Sequence, residues 1–382
     1  MRKYLFSLLI PVTLIILIVL LVFFNDLAVA SPPEVSAATA VVIDGETGQV
    51  LYDKHMHIQR YPASITKILT AIAALEEGNP DDLVTVSRNA AYQEGSSIYL
   101  EEGEKIPLKD LLYGILLASG NDAAVAIAEH IAGSVAEFAE LMNEKAQKMG
   151  AQNSNFLNPS GLPETGHYST AYDLAVIMRY ALQNETFAEI TATRHKTISW
   201  AGKDWGRGLR NHNKLLWSHP DATGGKTGYT RAAGRCLVSS AARDGREVVA
   251  VVLNSPNDWH DNTRLMDYGL DNFKKVIAIT NGEVLSTLPW EQALEKELQI
   301  VTTEPVAVVV PVGGQTVIRK IIDLNSNLTL PVSKGQQIGK LTIYESDILI
   351  KETELVAASN LTFNSLFMRY WYKMTQLLKK SE

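Results

Sequence analysis

Apolar residues recur at helical spacing in the segment YPASITKILTAIAALE, residues 61–76. The stripe consists of Ile65, Ile68, Leu69, Ile72 and Leu75. This i, i+3, i+4, i+7 spacing is typical of a helix that buries one face. Pro62 suits the first turn, because its fixed φ and missing N–H cost little there. The pattern therefore predicts a helix that begins near Pro62 and packs through one side.

Strand patterns flank a mainly helical middle in the first two-thirds of the chain. Apolar runs on both sides of DGETG, residues 44–48, predict an early hairpin, and runs around Asp244 and Gly245 predict two later strands. The helical patterns between them cover 110–131, 135–149 and 170–183. Since the early and late strands pair most simply with each other, we expect an α+β domain over residues 31–280, with helices packed on one antiparallel sheet.

Residues 281–358 follow a different pattern. Their short β-rich runs are broken by Gly, Pro, Asn and Asp, and they contain neither a helical period nor a cluster of catalytic residue types. We therefore expect a small all-β domain in this part of the chain.

The last segment, residues 359–382, predicts an amphipathic helix. Its apolar stripe is rich in aromatic residues, and its basic residues lie mostly away from that stripe. The stripe comprises Phe363, Leu366, Phe367, Tyr370, Trp371, Met374, Leu377 and Leu378. A basic, aromatic helix at a chain end favours binding to a membrane interface, with docking on its own protein as the alternative.

Residues 1–30 predict an export signal. Arg2 and Lys3 precede an apolar run over residues 4–24, and AVA at 28–30 is a cleavage site of the A-x-A type. The apolar run is also long enough to span a bilayer, so an uncleaved anchor is the alternative. In both cases the positive end stays inside and the remainder is exported.

Charge and cysteine content exclude several classes of function. The formal net charge is −7, and no basic stripe is present between the two terminal segments, so nucleic acid is not an expected partner. The single Cys236 rules out an internal disulfide and is expected to be a small buried apolar residue. No Cys/His cluster has zinc spacing, so we expect neither a metal nor a cofactor.

Three short motifs carry the candidate chemistry. Ser64 and Lys67 are three residues apart and share one helix face, although an isolated pair of this kind is more often a helix cap and a solvated lysine. Ser119-Gly120-Asn121 interrupts two apolar helical stretches, and Lys226-Thr227-Gly228 begins a strand. The set occurs in the order and contexts found in the penicillin-recognising serine enzymes, namely helix head, loop between helices, and strand.

The first group of residues suits nucleophilic catalysis. A serine hydroxyl must lose its proton as it attacks, and Lys67 is placed one turn from Ser64 to accept that proton. Burial and a nearby Lys226 would both disfavour the charged form of Lys67. Ser119 is expected to relay the proton to the leaving amine.

The second group suits substrate binding. Asn121 is expected to hold a substrate amide, and Lys226 with Thr227 to bind a terminal carboxylate. Gly228 lets the backbone approach the substrate closely. The backbone N–H groups of Ser64 and Tyr229 are expected to form an oxyanion hole.

These motifs and the segments around them resemble the D-alanyl-D-alanine carboxypeptidases, low-molecular-weight penicillin-binding proteins of the serine peptidase S11 family. The similarity covers roughly residues 37–275. The matching segments are YPASITKILTA, GSSIYLEEGE, DLLYGILLASGNDAA, NPSGL, HYSTAYDLA and GGKTGYT. The resemblance implies release of the terminal D-alanine from peptidoglycan stem pentapeptides at the outer face of the cytoplasmic membrane, through an acyl-enzyme on Ser64, and acylation by β-lactam antibiotics.

One position departs from the family pattern. In LRNHNKLLW, His212 stands where many relatives carry an arginine near the substrate carboxylate. Arg210, or Lys226 with Thr227, is expected to serve instead, and His212 is expected to be structural. His167 is interpreted as packing a loop, and Asp122 as a helix cap.

Two alternative functions use the same scaffold. A β-lactamase would need a glutamate for deacylation that we cannot place, and an additional β domain with a membrane tail does not suit a diffusible enzyme. A catalytically silent wall-binding protein would be expected to lose at least one motif residue, and none is lost. The sequence leaves open whether water or a second stem peptide accepts the acyl group, and which third residue the stem carries.

Overall fold

The computed structural model describes residues 31–313, 318–345, 348–367 and 370–371. The chain forms two compact units, and the boundary along the chain lies between Asn272 and Phe273. The sequence pattern predicts this boundary at 280/281. It lies earlier because Phe273 already begins a strand that pairs within the second unit.

The first unit is built on a five-stranded antiparallel sheet with the order β2-β1-β9-β8-β7. The early hairpin and the late strands pair through β1 and β9, as the strand patterns predicted. The strands are β1 (Thr39–Asp44), β2 (Val50–Lys54), β7 (Ala222–Thr230), β8 (Gly234–Arg243) and β9 (Arg246–Leu253). Four short strands form two further ladders: β3 (Leu83–Thr85) with β4 (Lys105–Pro107), and β5 (His195–Ile198) with β6 (Arg207–Arg210).

Helices cover this sheet and supply most of the core. They are α1 (Lys67–Glu77), α2 (Arg88–Ala91), α3 (Leu108–Leu117), α4 (Asn121–Ala132), α5 (Val135–Met149), α6 (Ala171–Ala181), α7 (Glu185–Ala192), α8 (Leu215–Ser218) and α9 (Asp258–Asp271). Residues 248–253 of β9 are all buried, and side chains alternate between sheet faces along a strand, so both faces are covered. The α+β architecture predicted from the sequence is confirmed.

Helix α1 lies deeper than its sequence pattern indicated. The stripe of residues 61–76 predicted one buried face, but every residue from Lys67 to Ala74 is buried. Helices α3, α4, α5, α6 and α7 all contact α1, which leaves no side of its first two turns for solvent. A lysine at the head of this helix therefore lies in the protein interior.

The second unit is built from β-strands over Phe273–Ala357, as predicted. One five-stranded sheet has the order β11-β12-β16-β15-β14, and β10 pairs with β13. The strands are β10 (Phe273–Ile279), β11 (Ser286–Pro289), β12 (Glu297–Thr302), β13 (Val306–Pro311), β14 (Ile318–Leu324), β15 (Gln337–Glu345) and β16 (Ile348–Ala357). Its own apolar core includes Ile300, Val308, Leu341 and Leu355.

The first residues after β16 still pack within this β unit. Leu361 is fully buried in the β core and forms a bridge with Val332, whereas the expected tail helix was 359–382. Helical backbone is assigned to Leu366, Phe367, Tyr370 and Trp371, whose side chains are exposed. Residues 368–369 and 372–382 of the predicted tail segment, and the predicted signal, 1–30, lie outside the described residues. Among the described residues, no helix combines the length and apolar character needed to cross a bilayer.

Candidate active site

Ser64 lies in a short 3-10 turn, Ala63–Thr66, that leads directly into α1. Ser64 is half-buried, while Lys67 at the first position of α1 is fully buried. Ala63 has a φ of 50°, an uncommon left-handed conformation for a residue other than glycine. Strained backbone of this kind is often found at functional sites, where the surrounding structure holds it in place.

Three oxygen atoms surround the amine of Lys67. Its Nζ lies 3.2 Å from Ser64 Oγ, 2.7 Å from Asn121 Oδ1 and 2.6 Å from the carbonyl oxygen of Ser160. Burial lowers the pKa of Lys67 well below its usual value, nearby Lys226 lowers this pKa further, and Asp122 opposes both. The lysine is thus fixed in position and biased toward its neutral form.

The loop that supplies the Ser160 carbonyl is held tightly against the head of α1. Thr70 Oγ1 donates a 2.7 Å hydrogen bond to the carbonyl of Pro159. Gly161 has a φ of +81°, and a Cβ atom there would lie 1.9 Å from the Ala63 carbonyl oxygen. Only glycine satisfies both constraints, so Gly161 fixes the loop at the distance at which Ser160 reaches Lys67.

Ser119 and Lys226 form a second polar pair. Lys226 Nζ donates to Ser119 Oγ at 3.0 Å and to the Thr227 carbonyl at 2.8 Å. Burial lowers the pKa of Lys226 to about 7. Ser119 breaks the chain between α3 and α4 with a φ of 63°, and this turn brings its hydroxyl to β7. The helical segment over 110–131 is therefore two helices, with the break at the motif that was predicted to interrupt it.

Asn121 and Asp122 tie this turn to the loop before it. Asn121 donates from Nδ2 to the Glu94 carbonyl at 2.6 Å, while its Oδ1 faces Lys67. The Asp122 carboxylate accepts from Ser97 Oγ and from the backbone N–H groups of residues 98 and 100. The cap expected at Asp122 is wrong, because Gly120 is the N-cap residue and this helix has no side-chain cap. Asp122 lies in the first turn, where it accepts from Ala123 N–H, and its carboxylate holds the neighbouring loop instead.

Strand β7 passes close to the turn that carries Ser64. At Gly228 a Cβ atom would lie 3.0 Å from the Pro62 carbonyl oxygen and 3.1 Å from Ala63 Cβ. The strand can run this close only because residue 228 lacks a side chain. Thr227 and Tyr229, on either side of it, both line the same cleft as Ser64.

This cleft has a volume of about 640 Å³. Of the eight site residues predicted from the sequence, Ser64, Ser119, Thr227, Gly228 and Tyr229 line it, and Lys67, Asn121 and Lys226 are bonded to its wall from inside. The other lining residues are Ser96, Arg210, Asn211, His212, Lys214, Trp217, Arg235, Asp258 and Trp259. Among the described residues, no group of three His, Cys, Asp or Glu side chains could hold a metal ion.

Two histidines and the single cysteine discussed from the sequence differ in their distance from the cleft. His212 lines the cleft, so it is not remote from the site. His167 is buried beside the head of α1, where its Nε2 lies 3.1 Å from Thr66 Oγ1 and its Nδ1 accepts from Leu157 N–H. Burial lowers the pKa of His167 to about 4, so the ring is neutral near pH 7. Cys236 is fully buried in β8, as predicted.

A helix-head serine with a buried lysine, joined by the Ser119 and Lys226 motifs on a helix-covered antiparallel sheet, defines the class of penicillin-recognising serine enzymes. The Peptidase S11 family, described as D-alanyl-D-alanine carboxypeptidase, matches residues 26–257. The chain belongs to this family. Residues 273–362 match the C-terminal domain of penicillin-binding protein 5.

Curated relatives match over nearly the whole chain. D-alanyl-D-alanine carboxypeptidase DacF of Bacillus subtilis is 34% identical over 354 residues, which cover 88% of this chain and 90% of DacF. D-alanyl-D-alanine carboxypeptidase DacD of Escherichia coli is 32% identical, with 88% and 90% covered. The similarity therefore includes both units.

A solved structure gives the same result. Penicillin-binding protein 5 from Haemophilus influenzae superposes with a TM-score of 0.76 at 29% identity, covering 87% of this chain and 99% of that protein. The predicted resemblance, the fold class and the assignment to serine-type D-alanyl-D-alanine carboxypeptidases are confirmed. Family membership also favours this enzyme class over the β-lactamase and silent wall-binding alternatives.

Proposed function

We propose that this protein removes the terminal D-alanine from peptidoglycan stem peptides through an acyl-enzyme on Ser64, and that β-lactam antibiotics acylate the same serine. The observation that carries the proposal is the position of Lys67 Nζ, 3.2 Å from Ser64 Oγ and bonded to two oxygens that only accept. Membership of the S11 family supports the reaction class.

Lys67 acts as the base in this proposal. A neutral lysine amine has two N–H donors and one lone pair. Asn121 Oδ1 and the Ser160 carbonyl, at 2.7 and 2.6 Å, take the two N–H groups. The lone pair is then left for Ser64, whose hydroxyl donates to it. The lowered pKa of Lys67 supports the neutral form that this arrangement needs.

Bond making and breaking then follow a simple order. Ser64 Oγ attacks the carbonyl carbon of the penultimate D-alanine while its proton passes to Lys67 Nζ. The C–N bond breaks, and the terminal D-alanine leaves as its amine takes a proton from Ser119 Oγ, which lies 3.0 Å from Lys226 Nζ. The proton that Lys67 took from Ser64 then passes to Ser119, so both residues return to their starting protonation states. Water hydrolyses the ester, which releases the shortened peptide and restores the Ser64 hydroxyl.

Two backbone N–H groups stabilise the oxyanion in this proposal, those of Ser64 and Tyr229. The close approach of Gly228 to the turn before Ser64 supports this assignment, because it brings the strand that carries Tyr229 alongside the nucleophile. Asn121 keeps an indirect part in substrate binding, since both ends of its amide are already bonded within the protein.

We assign the terminal carboxylate to the hydroxyl of Thr227, with the charge of Lys226 in support. Thr227 is half-buried and lines the cleft. Lys226 Nζ is engaged by Ser119 and by the Thr227 carbonyl, so it acts mainly through its field rather than by direct contact.

Thr227→Ala is expected to lower kcat/KM for peptides ending in D-Ala-D-Ala by about one to two orders of magnitude. A charge-assisted hydrogen bond is worth about 1.5–3 kcal/mol, which gives a change of this size if the bond is made in the transition state. Amidating the substrate's C-terminus should cost the wild type a similar factor. Both changes remove one interaction, so the two losses should not add. The leaving group, D-alanine from the free acid and D-alaninamide from the amidated peptide, is measured in all four combinations.

The matched control is Thr85→Ala, at an exposed position of β3 that does not line the cleft. It should leave kcat/KM unchanged for both peptides. If wild-type enzyme cuts the amidated peptide as fast as the free acid, the protein is not a carboxypeptidase of this kind. In a parallel gel assay with fluorescent penicillin, a silent binder would give no covalent band, whereas a β-lactamase would turn over penicillin in preference to the peptide.

We further propose that the protein is exported and held at the outer face of the cytoplasmic membrane by its C-terminal helix. The exposed Leu366, Phe367, Tyr370 and Trp371 support this, because large apolar side chains at a chain end suit burial in a lipid interface. The family's action on the cell wall supports export.

Deleting residues 365–382 is expected to move the mature protein from the membrane pellet to the soluble fraction without reducing D-alanine release from a soluble peptide. The deletion spares Leu361 and Phe363, which pack in the β unit, so that unit keeps its core. Fractionation and activity are measured on both proteins. A truncated protein that stays in the pellet would contradict the tail assignment if sequencing its N-terminus shows that residues 1–30 have been removed.

A further inference from the structure

Two cations line the active-site cleft without a carboxylate partner. Arg210 ends β6, Lys214 immediately precedes α8, and both side chains are exposed. Neither side chain forms an ion pair or hydrogen bond within the described part of the chain. By contrast, Arg235, a third cation of the cleft, lies 3.6 Å from Asp258. We call Arg210 and Lys214 with the two tryptophans beneath them, Trp217 and Trp259, the cationic wall.

Each cation of the wall lies over an aromatic ring that also lines the cleft. The guanidinium carbon of Arg210 is 5.3 Å from the centre of the Trp217 ring, and Lys214 Nζ is 5.7 Å from that of Trp259. Cation–π contacts of this length orient a side chain but leave its charge and N–H groups available to a ligand.

The backbone that carries the wall is fixed to the reactive strand. Asn213 donates from Nδ2 to the Gly224 carbonyl of β7 at 3.0 Å, and Asn211 donates to the Thr191 carbonyl at 3.1 Å. Both asparagines are buried. The two cations therefore keep a set position beside Thr227, in a chain whose net charge is −7.

A substrate with one carboxylate would leave part of this charge uncompensated. Once a peptide fills the cleft and displaces water, an unpaired ammonium or guanidinium loses solvation that nothing replaces. The terminal carboxylate supplies one negative charge, next to Thr227. Two unpaired cations therefore favour a ligand that brings a second negative charge.

We propose that the cationic wall binds a second carboxylate of the stem peptide, in addition to the terminal one; this inference rests on the proposed function above. Two groups on the substrate carry that chemistry. One is the free α-carboxylate of a γ-linked glutamate at the second position, and the other is a side-chain carboxylate on a diamino dicarboxylic acid at the third. The wall thereby selects stems with an acidic third or second residue over amidated or lysine-type stems.

Four pentapeptides test this with the full-length enzyme. All four end in free D-Ala-D-Ala. In the first peptide both additional carboxylates are free, in the second only the carboxylate at position two is amidated, in the third only the carboxylate at position three is amidated, and in the fourth both are amidated. We expect amidation at one position to lower kcat/KM about tenfold, the value of one charge-assisted contact. The position that matters identifies which carboxylate binds. Arg210→Gln or Lys214→Gln should remove that discrimination, and high salt should reduce it.

The control is Lys109→Gln, a half-buried lysine on α3 that does not line the cleft. It should keep the wild-type discrimination. If wild-type enzyme releases D-alanine from all four peptides at equal kcat/KM, or if both wall variants discriminate as the wild type does, the second carboxylate site is overturned while the proposed function stands. If no peptide is cut and penicillin gives no covalent label, the proposed function itself has failed, and this inference fails with it.

Discussion

Ser64→Ala is expected to abolish both D-alanine release and covalent labelling by penicillin. Without Oγ no ester can form, and the lone pair of Lys67 has no proton to accept from residue 64. Loss of a nucleophile should reduce turnover by at least about 10⁴-fold. The fold should survive, because Ser64 is half-buried and loses only one side-chain contact. Labelling is read on a gel, D-alanine release by a coupled assay, and folding by circular dichroism.

Ser96→Ala is the matched control for this experiment. Ser96 lines the same cleft, is exposed, and holds Asn121 through its backbone carbonyl rather than through its hydroxyl. The control should therefore keep both labelling and turnover. Labelling of Ser64→Ala at the wild-type level would contradict the assignment of the nucleophile, and Ser119 would be the next candidate because its hydroxyl also lines the cleft.

The helix at residues 61–76 illustrates how far apolar spacing goes. The spacing predicts a helix with Ser64 and Lys67 one turn apart, and the structure has both side chains in contact. It does not predict that the first turn is a 3-10 turn, because that depends on Gly161 and Gly228, which approach from distant parts of the chain. It also underestimates the burial of α1, since five other helices contact it.

The partners of Lys67 divide in the same way. Asn121 belongs to a motif that can be read from residue types, and its contact with Lys67 fits that motif. The contact with Ser160 is made by its backbone carbonyl, so the residue type at position 160 does not indicate it. A weak signal exists in the turn-forming segment NPSGL around it, where Asn158 accepts from Gly161 N–H. Turn-forming residues alone do not specify which lysine such a carbonyl contacts.

The binding of the terminal carboxylate shows the opposite case. The sequence paired Lys226 and Thr227 as equal donors, since they are neighbours on one strand. Side chains alternate along a strand, so adjacent residues face opposite sides. Lys226 is buried and bonded to Ser119, while Thr227 lines the cleft. Arg210, named from the sequence as a possible partner of a substrate carboxylate, does line the cleft. Lys214 was not singled out, because its position depends on the buried asparagines that attach this segment to other elements.

Lys67→Met is expected to lower the rate of acylation by about 10² to 10⁴-fold, the range for loss of a general base. Methionine keeps much of the length and apolar character of the buried stem but has no basic nitrogen. The acylation rate is measured with excess penicillin and with a D-Ala-D-Ala peptide. Lys145→Met is the matched control, since Lys145 is also buried but is paired with Glu76 and Glu77, away from the cleft. It should lower thermal stability and leave acylation unchanged.

The pH dependence of acylation distinguishes a base from a fixed charge at Lys67. If the neutral amine is the active form, the wild-type rate falls as pH drops through the lowered pKa of Lys67, because the protonated amine has no lone pair. Asp122 raises this pKa, so Asp122→Asn should move the acid limb to lower pH, separately from any loss of rate caused by loosening the loop at residues 97–100. A role as a fixed cation predicts the reverse, with activity rising as the amine becomes protonated. Two results would place the base elsewhere. One is an acid limb that shifts to higher pH in Asp122→Asn, and the other is a Lys67→Met enzyme that acylates within about twofold of the wild-type rate.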